Sequence, residues 1–220
     1  MERDNRMDDK LDALRDANAP EEGQDPAGGK AKRDGSASRD LYLNVRVLVG
    51  MMAVFVLLFT FVARVIVVSG PSMESTLWEG DLIFVWALGY EPKQGDIVVL
   101  TQEHYQEDSI IKRVIATGGQ RVDIDYATGA VYVDGQALQE DYINEPMRLP
   151  GWGEGVNHVE VPEGCIFVMG DNRNHSSDSR DASLGTVDTR YVIGRAVAVA
   201  FPGVDETTKQ RDFRRIGVIA

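Results

Sequence analysis

Residues 41–68 read LYLNVRVLVGMMAVFVLLFTFVARVIVV. The stretch holds no acidic group, its only charges are Arg46 and Arg64, and Val47 to Ala63 forms an uncharged run of 17 residues. Continued to Val68, such a run is long enough for a helix across a hydrocarbon core of about 30 Å. Arg64 then falls near one interface, where its aliphatic stem lets the guanidinium reach the head groups. A buried core helix is the blander reading, but a single soluble domain rarely needs a helix that is apolar on every face. A removable leader fits poorly, because the apolar run begins only after about 40 residues and is too long for a leader's apolar region.

The flanks of this segment give its expected orientation. Residues 29–46 contain Lys30, Lys32, Arg33, Arg39 and Arg46, whereas residues 69–86 contain no Lys or Arg. Basic residues stay on the cytoplasmic side. The reading is therefore a single-pass protein of the cell membrane, with the N-terminus cytoplasmic and everything after Val68 extracytoplasmic.

On the N-terminal side, residues 1–40 carry 8 Lys/Arg and 11 Asp/Glu with few large apolar side chains. They cannot bury enough apolar surface to offset the entropy of ordering, so they are expected to form a disordered cytoplasmic tail. On the other side, residues 69–220 hold 13 basic and 24 acidic groups. Short β-rich runs (LIFVWAL, DIVVLT, IIKRVIA, RVDIDY, AVYVDG, CIFVMG, YVIGRAVAVAF) alternate there with Gly, Pro, Asp and Asn turns. The expected fold is mainly β, an antiparallel sheet or barrel-like domain, catalytic or binding, anchored by one N-terminal transmembrane helix, with hairpin turns at 126–129 and at Asp134–Gly135. Residues 124–165 are read as a hairpin-rich insertion, and Leu82–Trp86 as either a core strand or an apolar patch resting on lipid.

The whole chain has 220 residues and a net charge of −12, a balance that argues against nucleic acid as a partner. Its single cysteine, Cys165, excludes an intrachain disulfide and a cysteine-based zinc site. Cys165 opens an apolar strand, where an inert thiol is the plainer reading.

A serine nucleophile needs a base. His104, His158 and His175 are candidates, each more simply read as a surface or hydrogen-bonded residue, and no Gly-x-Ser-x-Gly elbow accompanies them. Lysine can replace histidine only where desolvation lowers its pKa. The extracytoplasmic part holds three lysines, Lys93, Lys112 and Lys209. Lys93 and Lys209 lie in polar surroundings, while Lys112 interrupts the apolar strand Ile110–Ile111–Lys112–Arg113–Val114–Ile115. Alternation sends Lys112 and Arg113 to opposite faces, so one of the two charges should enter the interior. The pattern alone leaves open whether Lys112 does so or decorates an edge strand.

Four blocks narrow the choice. The chain reads Ser69–Gly70–Pro71–Ser72–Met73 directly after the apolar segment, then Gly95–Asp96–Ile97–Val98–Val99, then Lys112–Arg113–Val114–Ile115, then Gly170–Asp171–Asn172–Arg173–Asn174–His175–Ser176–Ser177–Asp178–Ser179–Arg180. In this order, behind one apolar span, they resemble bacterial type I signal peptidase, and specifically its single-span Gram-positive branch. The family is one of membrane-bound serine proteases that remove signal peptides from exported pre-proteins.

The resemblance implies Ser72 as nucleophile, Lys112 as general base and Ser176 as the hydroxyl that orients the lysine. Asp171 with Arg113, and Asp178 with Arg180, match positions that brace the site. The backbone N–H of Ser72 would form the oxyanion hole. Gly70 stands where some members have a second, hydroxyl donor, and Ser69 is a weak substitute. Ser75 replaces a usual proline, and Ala116–Gln120 replaces a stretch that normally carries Pro-Gly-Asp.

A cleavage segment ending in a small-x-small motif is expected to lie as an extended strand beside Val67, Val68 and Ser69, Met73, and Ser109, Ile110 and Ile111. No cofactor and no metal are expected, since the Asp171-x-Arg173-x-His175 pattern lacks the features of a calcium loop. The expected partners are signal-peptide-bearing pre-proteins and the lipid bilayer, with a monomer as the default. Three rivals share parts of the pattern. A self-cleaving repressor protease would need a DNA-binding domain and a cytoplasmic location. A specialised peptidase for pilus or conjugation substrates, and a non-catalytic membrane-tethered β binding module, differ only in substrate and in activity.

Overall fold

Apolar side chains dominate residues 41–61, and in the computed structural model, which describes residues 31–102, 106–148, 155–205 and 209–219, they lie on a helix. This helix, α1 (Ala31–Phe61), contains a 24-residue stretch, Ser38–Phe61, with mean hydropathy 2.2 and none of it buried. It is long and apolar enough to cross a membrane, which is compatible with a single-pass anchor. The expected disordered tail, 1–40, lies mostly outside the described residues, and its last ten residues form the start of α1.

The expected helical segment 41–68 needs correction at its far end. The helix stops at Phe61, and Ala63–Val67 is strand β1. The sequence ARVIV is rich in β-branched residues, which lose side-chain freedom in a helix and fit a pleated surface. Pairing with β2 (Leu82–Trp86) satisfies its backbone, with Ala63 opposite Trp86 and Val67 opposite Leu82.

Ten further strands follow: β3 (Ile97–Gln102), β4 (Gln106–Thr117), β5 (Arg121–Asp125), β6 (Ala130–Val133), β7 (Gln136–Ala137), β8 (His158–Glu160), β9 (Cys165–Met169), β10 (Val187–Asp188), β11 (Val192–Phe201) and β12 (Gly217–Val218). All pairings are antiparallel. An eight-stranded curled sheet has the order β1-β2-β11-β3-β4-β9-β10, with β12 also on β11, and a four-stranded sheet has the order β7-β6-β5-β8. The fold is thus mainly β, as expected.

The smaller sheet falls within the region read as a hairpin-rich insertion. Its Asp134–Gly135 turn has φ values of 52° and 80°, the two left-handed positions of a tight hairpin.

Burial explains why several strands read as unbroken apolar runs. Ile97 and Val99 of β3 join one core with Met73, Leu77, Ile83 and Val85. Val98 and Leu100, on the opposite face, join another with Val114, Ile166 and Val168. A strand covered on both faces has no solvent side to carry polar residues. Strand β2, between β1 and β11, does alternate: Ile83 and Val85 are buried, while Phe84 and Trp86 remain 37% and 45% exposed.

Candidate active site

Residues 68–81 form a loop whose ends are tied together, since the Val68 N–H donates to Asp81 O and the Gly80 N–H to Val68 O. Met73 and Leu77 anchor it by filling the core beneath. The buried Asp81 carboxylate accepts from the Trp78 and Gly203 N–H groups and pairs with Arg215. Ser72 rides on this fastened loop, and its N–H makes no hydrogen bond among the described residues. The Gly70 N–H donates to the Glu79 carboxylate.

Lys112 lies across from Ser72, with 2.8 Å between Nζ and Oγ. Both Lys112 and Arg113 are only 4% exposed, so the expectation that one of the two charges enters the interior is too small by one. Both faces of β4 are covered, and each charge has its own buried setting. Burial is the main influence on Lys112 and lowers its pKa from 10.5 to about 8, outweighing the nearby Asp178 and Asp171 carboxylates. Desolvation disfavours the ammonium form, and the carboxylates restore part of it. A lysine with a pKa near 8 is neutral in an appreciable fraction of molecules at neutral pH, roughly one in ten at pH 7.

The segment 170–180 supplies the surrounding polar groups. Arg113 donates to both oxygens of Asp171, Nε to Oδ1 and Nη2 to Oδ2, each at 2.8 Å. Thr76 Oγ1 donates to the same carboxylate at 2.5 Å. Arg180 likewise grips Asp178 through Nε and Nη2 at 2.8 Å each, and the Gly170 N–H adds a third bond at 2.9 Å. Burial alone would raise the Asp178 pKa, but Arg180, the Gly170 N–H and the adjacent Ser176 hydroxyl together hold it below the usual carboxylate range. Bidentate, fully desolvated pairs of this kind fix geometry more than they add stability.

Ser176 is brought into the same buried cluster. Its Oγ makes no hydrogen bond of ordinary geometry among the described residues, including none to Lys112. Gly170 explains the tight packing: a Cβ at that position would meet Ser176 Oγ and lie 2.5 Å from Ser72 O. The segment therefore touches the Ser72 loop directly, through the Asn172 N–H to Ser72 O at 3.0 Å and Asn172 Nδ2 to Pro71 O at 3.1 Å.

A groove of about 480 Å³ opens beside Ser72 and Lys112, lined by Ile66, Val67, Ser69, Ser109, Ile110 and Ile111 among others. Two residues expected to line it do not. Val68 and Met73 point into the core with Leu77 and Ile83, Val68 because it alternates with the exposed Val67. In their place Ile66, Gly70 and Ser177 face the groove. Among the described residues, β1 pairs on one flank only with β2, and on the other β9 joins β4 only from Arg113 onward. Both groove walls thus carry strand backbone open to a further strand.

The histidines lie elsewhere or outside view. His158 sits on the small sheet, 2.6 Å from Asp123 and exposed. His175 is exposed, and His104 falls outside the described residues. The replaced stretch Ala116–Gln120 forms a closed turn, with the Gln120 N–H donating to Thr117 O and the Thr117 N–H to Gln120 Oε1.

Residues without an obvious sequence signal also converge here. Tyr142 lies under Arg113, 4.0 Å from ring centroid to guanidinium carbon. Buried Arg173 pairs with Glu140 and donates to Gly170 O. Only Arg173 sits inside a recognisable block. Glu140, Tyr142 and Thr76 lie in loops whose partners are distant in the chain.

Residues 42–201 match the family model described as signal peptidase, peptidase S26. The probable signal peptidase I-1 of Synechocystis sp. is 39% identical over 169 residues, covering 72% of this chain and 82% of that protein. Signal peptidase I of Bacillus licheniformis is 34% identical over 171 residues, covering 72% and 87%. A crystal structure of a signal peptidase I from Enterococcus faecalis matches with a TM-score of 0.39 and 30% identity, covering 48% of this chain and 97% of that one. With a family match across most of its length and relatives this similar, the chain belongs to the peptidase S26 family of signal peptidases.

Proposed function

We propose that this chain is a membrane-anchored serine endopeptidase that removes signal peptides from exported pre-proteins, with Ser72 as nucleophile and Lys112 as general base. The observation that carries the reading is the 2.8 Å approach of a buried lysine, its pKa brought down to about 8, to a serine hydroxyl at the edge of a groove. Neutral Lys112 accepts the Ser72 proton as Oγ attacks the scissile carbonyl carbon. The Ser72 N–H, otherwise unbonded, donates to the developing oxyanion. Protonated Lys112 then delivers its proton to the leaving amine, and an ester to Ser72 remains. Water, deprotonated by Lys112, hydrolyses that ester and frees the signal peptide.

The Asp171–Arg113 and Asp178–Arg180 pairs hold the segment that packs on both reacting groups. The substrate segment enters as an extended strand between β1 and the Ser109–Ile111 part of β4, using their open backbone groups. Small residues at alternate positions suit the shallow apolar wall formed by Ile66, Ile110 and Ile111. Helix α1 supplies the anchor through its Ser38–Phe61 stretch, with the tail, residues 1–40, cytoplasmic and the β domain outside.

The test is cleavage of a signal-peptide-bearing pre-protein by the full chain in liposomes, comparing wild type with Ser72→Ala and Lys112→Ala. Cleavage after a small-x-small motif by wild type, with both variants folded and inactive, is the expected result. A folded Lys112→Ala protein with full activity would remove the lysine from the mechanism. A wild type that binds but never cuts would leave a binding module.

A further inference from the structure

A planar peptide unit cannot turn its carbonyl without turning its N–H, because the two point in opposite directions across one rigid plane. The Ser72 N–H belongs to the unit that begins with the Pro71 carbonyl. Asn172 Nδ2 donates to that carbonyl at 3.1 Å, and the Asn172 backbone N–H donates to the next carbonyl, Ser72 O, at 3.0 Å. One residue therefore touches two successive carbonyls of the nucleophile turn, and the first of them, which also accepts from the Glu74 N–H at 3.1 Å, points opposite the Ser72 N–H.

We infer that Asn172 is a positioning residue whose side-chain amide aims and polarises the Pro71–Ser72 peptide, making the Ser72 N–H a better directed and stronger donor to the oxyanion. This rests on the proposed role of Ser72 as nucleophile and of its N–H as the oxyanion donor. Three observations support it. Asn172 is buried and its bond to the exposed Pro71 carbonyl is part-buried, so the donor is held by the interior while the acceptor faces the turn. A hydrogen bond accepted by an amide carbonyl polarises the whole peptide group and strengthens what its N–H can donate. Asn172 is itself clamped, since Asp171 before it is gripped by Arg113 and Thr76 and Arg173 after it by Glu140.

Folding stability gives little reason for an amide at this place. Asn172 Oδ1 is buried with no partner among the described residues, and an apolar side chain of the same size would bury there without stranding an acceptor. The backbone bond to Ser72 O would survive any substitution except proline. What the asparagine side chain alone contributes is the bond to Pro71 O.

The experiment compares full-length wild type, Asn172→Leu, Asn172→Ala, Ser72→Ala and Lys112→Ala in detergent, with a peptide substrate and with a peptide boronate that forms a tetrahedral adduct on a serine hydroxyl. Removal of a whole oxyanion donor lowers kcat by about a hundredfold or more. Loss of aim and polarisation is expected to lower kcat by roughly 10- to 100-fold, with KM within about twofold and the midpoint of the pH profile unchanged. Boronate affinity should fall with kcat, while affinity for the product peptide stays the same.

Unchanged kcat in Asn172→Leu, beside inactive Ser72→Ala and Lys112→Ala, overturns this inference and leaves the dyad standing. A loss that appears in KM, in a shifted pH midpoint, or as failure of both Asn172 variants to fold assigns Asn172 a merely structural part and overturns it too. Activity retained by Ser72→Ala overturns the dyad reading first, and the inference with it.

Discussion

Replacing Lys112 with methionine should make the protein more stable at neutral pH and less distinguishable from wild type at alkaline pH. Lowering a lysine from 10.5 to about 8 corresponds to about 3 kcal/mol of disfavour for the buried ammonium, at about 1.36 kcal/mol for each pH unit. At pH 7 the unfolded lysine is fully protonated and the folded one mostly so. The folded state therefore bears nearly the whole of that penalty. As pH rises from about 8 to 10.5, the folded lysine has already lost its proton while the unfolded one is only beginning to, and the penalty fades. Lys112→Met never bears it. Urea unfolding of the full chains in detergent, followed by the fluorescence of the three tryptophans, gives both stabilities. The variant-minus-wild-type difference cancels every other titrating group. It should shrink by about 3 kcal/mol between pH 7 and 10.5, and a constant packing offset from the methionine would not alter the slope. A difference that stays flat across this range would mean that Lys112 is not desolvated, and the basis for its use as a base would go.

Two other substitutions probe the frame around Ser72 and Lys112. Gly170→Ala places a methyl 2.5 Å from Ser72 O and against Ser176. It should abolish turnover and cost about 1–3 kcal/mol of stability or more, which thermal unfolding and a cleavage assay can check together. Asp171→Asn removes the charge that Arg113 grips through two bonds and should destabilise the fold by about 3–5 kcal/mol, because a buried guanidinium is left unpaired. If urea unfolding shows less than about 1 kcal/mol of loss, that pair is not desolvated as described.

Much of this architecture was legible in the residues, for physical reasons that can be named. An uncharged run of 17 residues has few other solutions than a long helix, and short apolar runs punctuated by Gly, Asp and Asn turns have few other solutions than antiparallel strands. The end of the helix was not legible. Apart from Arg64, Ala63–Val67 continues the apolar run, and its β-branched residues alone do not mark a strand until it pairs with Leu82–Trp86. Within the candidate site, Lys112 could be singled out because a lysine in an apolar strand is anomalous. Arg113 could not, because alternation describes one covered face and β4 has two. Val68 and Met73 were misplaced for a related reason: proximity to Ser72 in the chain says nothing about which side of the loop a side chain takes. Glu140 and Tyr142 carry no local pattern, and their contacts exist only once the small sheet folds beside segment 170–180.

The chain leaves the large sheet at the end of β4 and returns to it at β9, and these two strands are neighbours. The small sheet is thus an excursion between adjacent exit and entry points, and lengthening it adds only slowly to the entropy of closing the loop. Its size is therefore free to drift. Its ties to the site are not, because Tyr142 lies against Arg113, Glu140 holds Arg173 and the Val156 N–H donates to Arg180 O, so the excursion reaches back into the frame of the site. A graft that replaced the whole excursion would have to rebuild those contacts, whereas one spliced into the outer turns of the small sheet would leave them untouched.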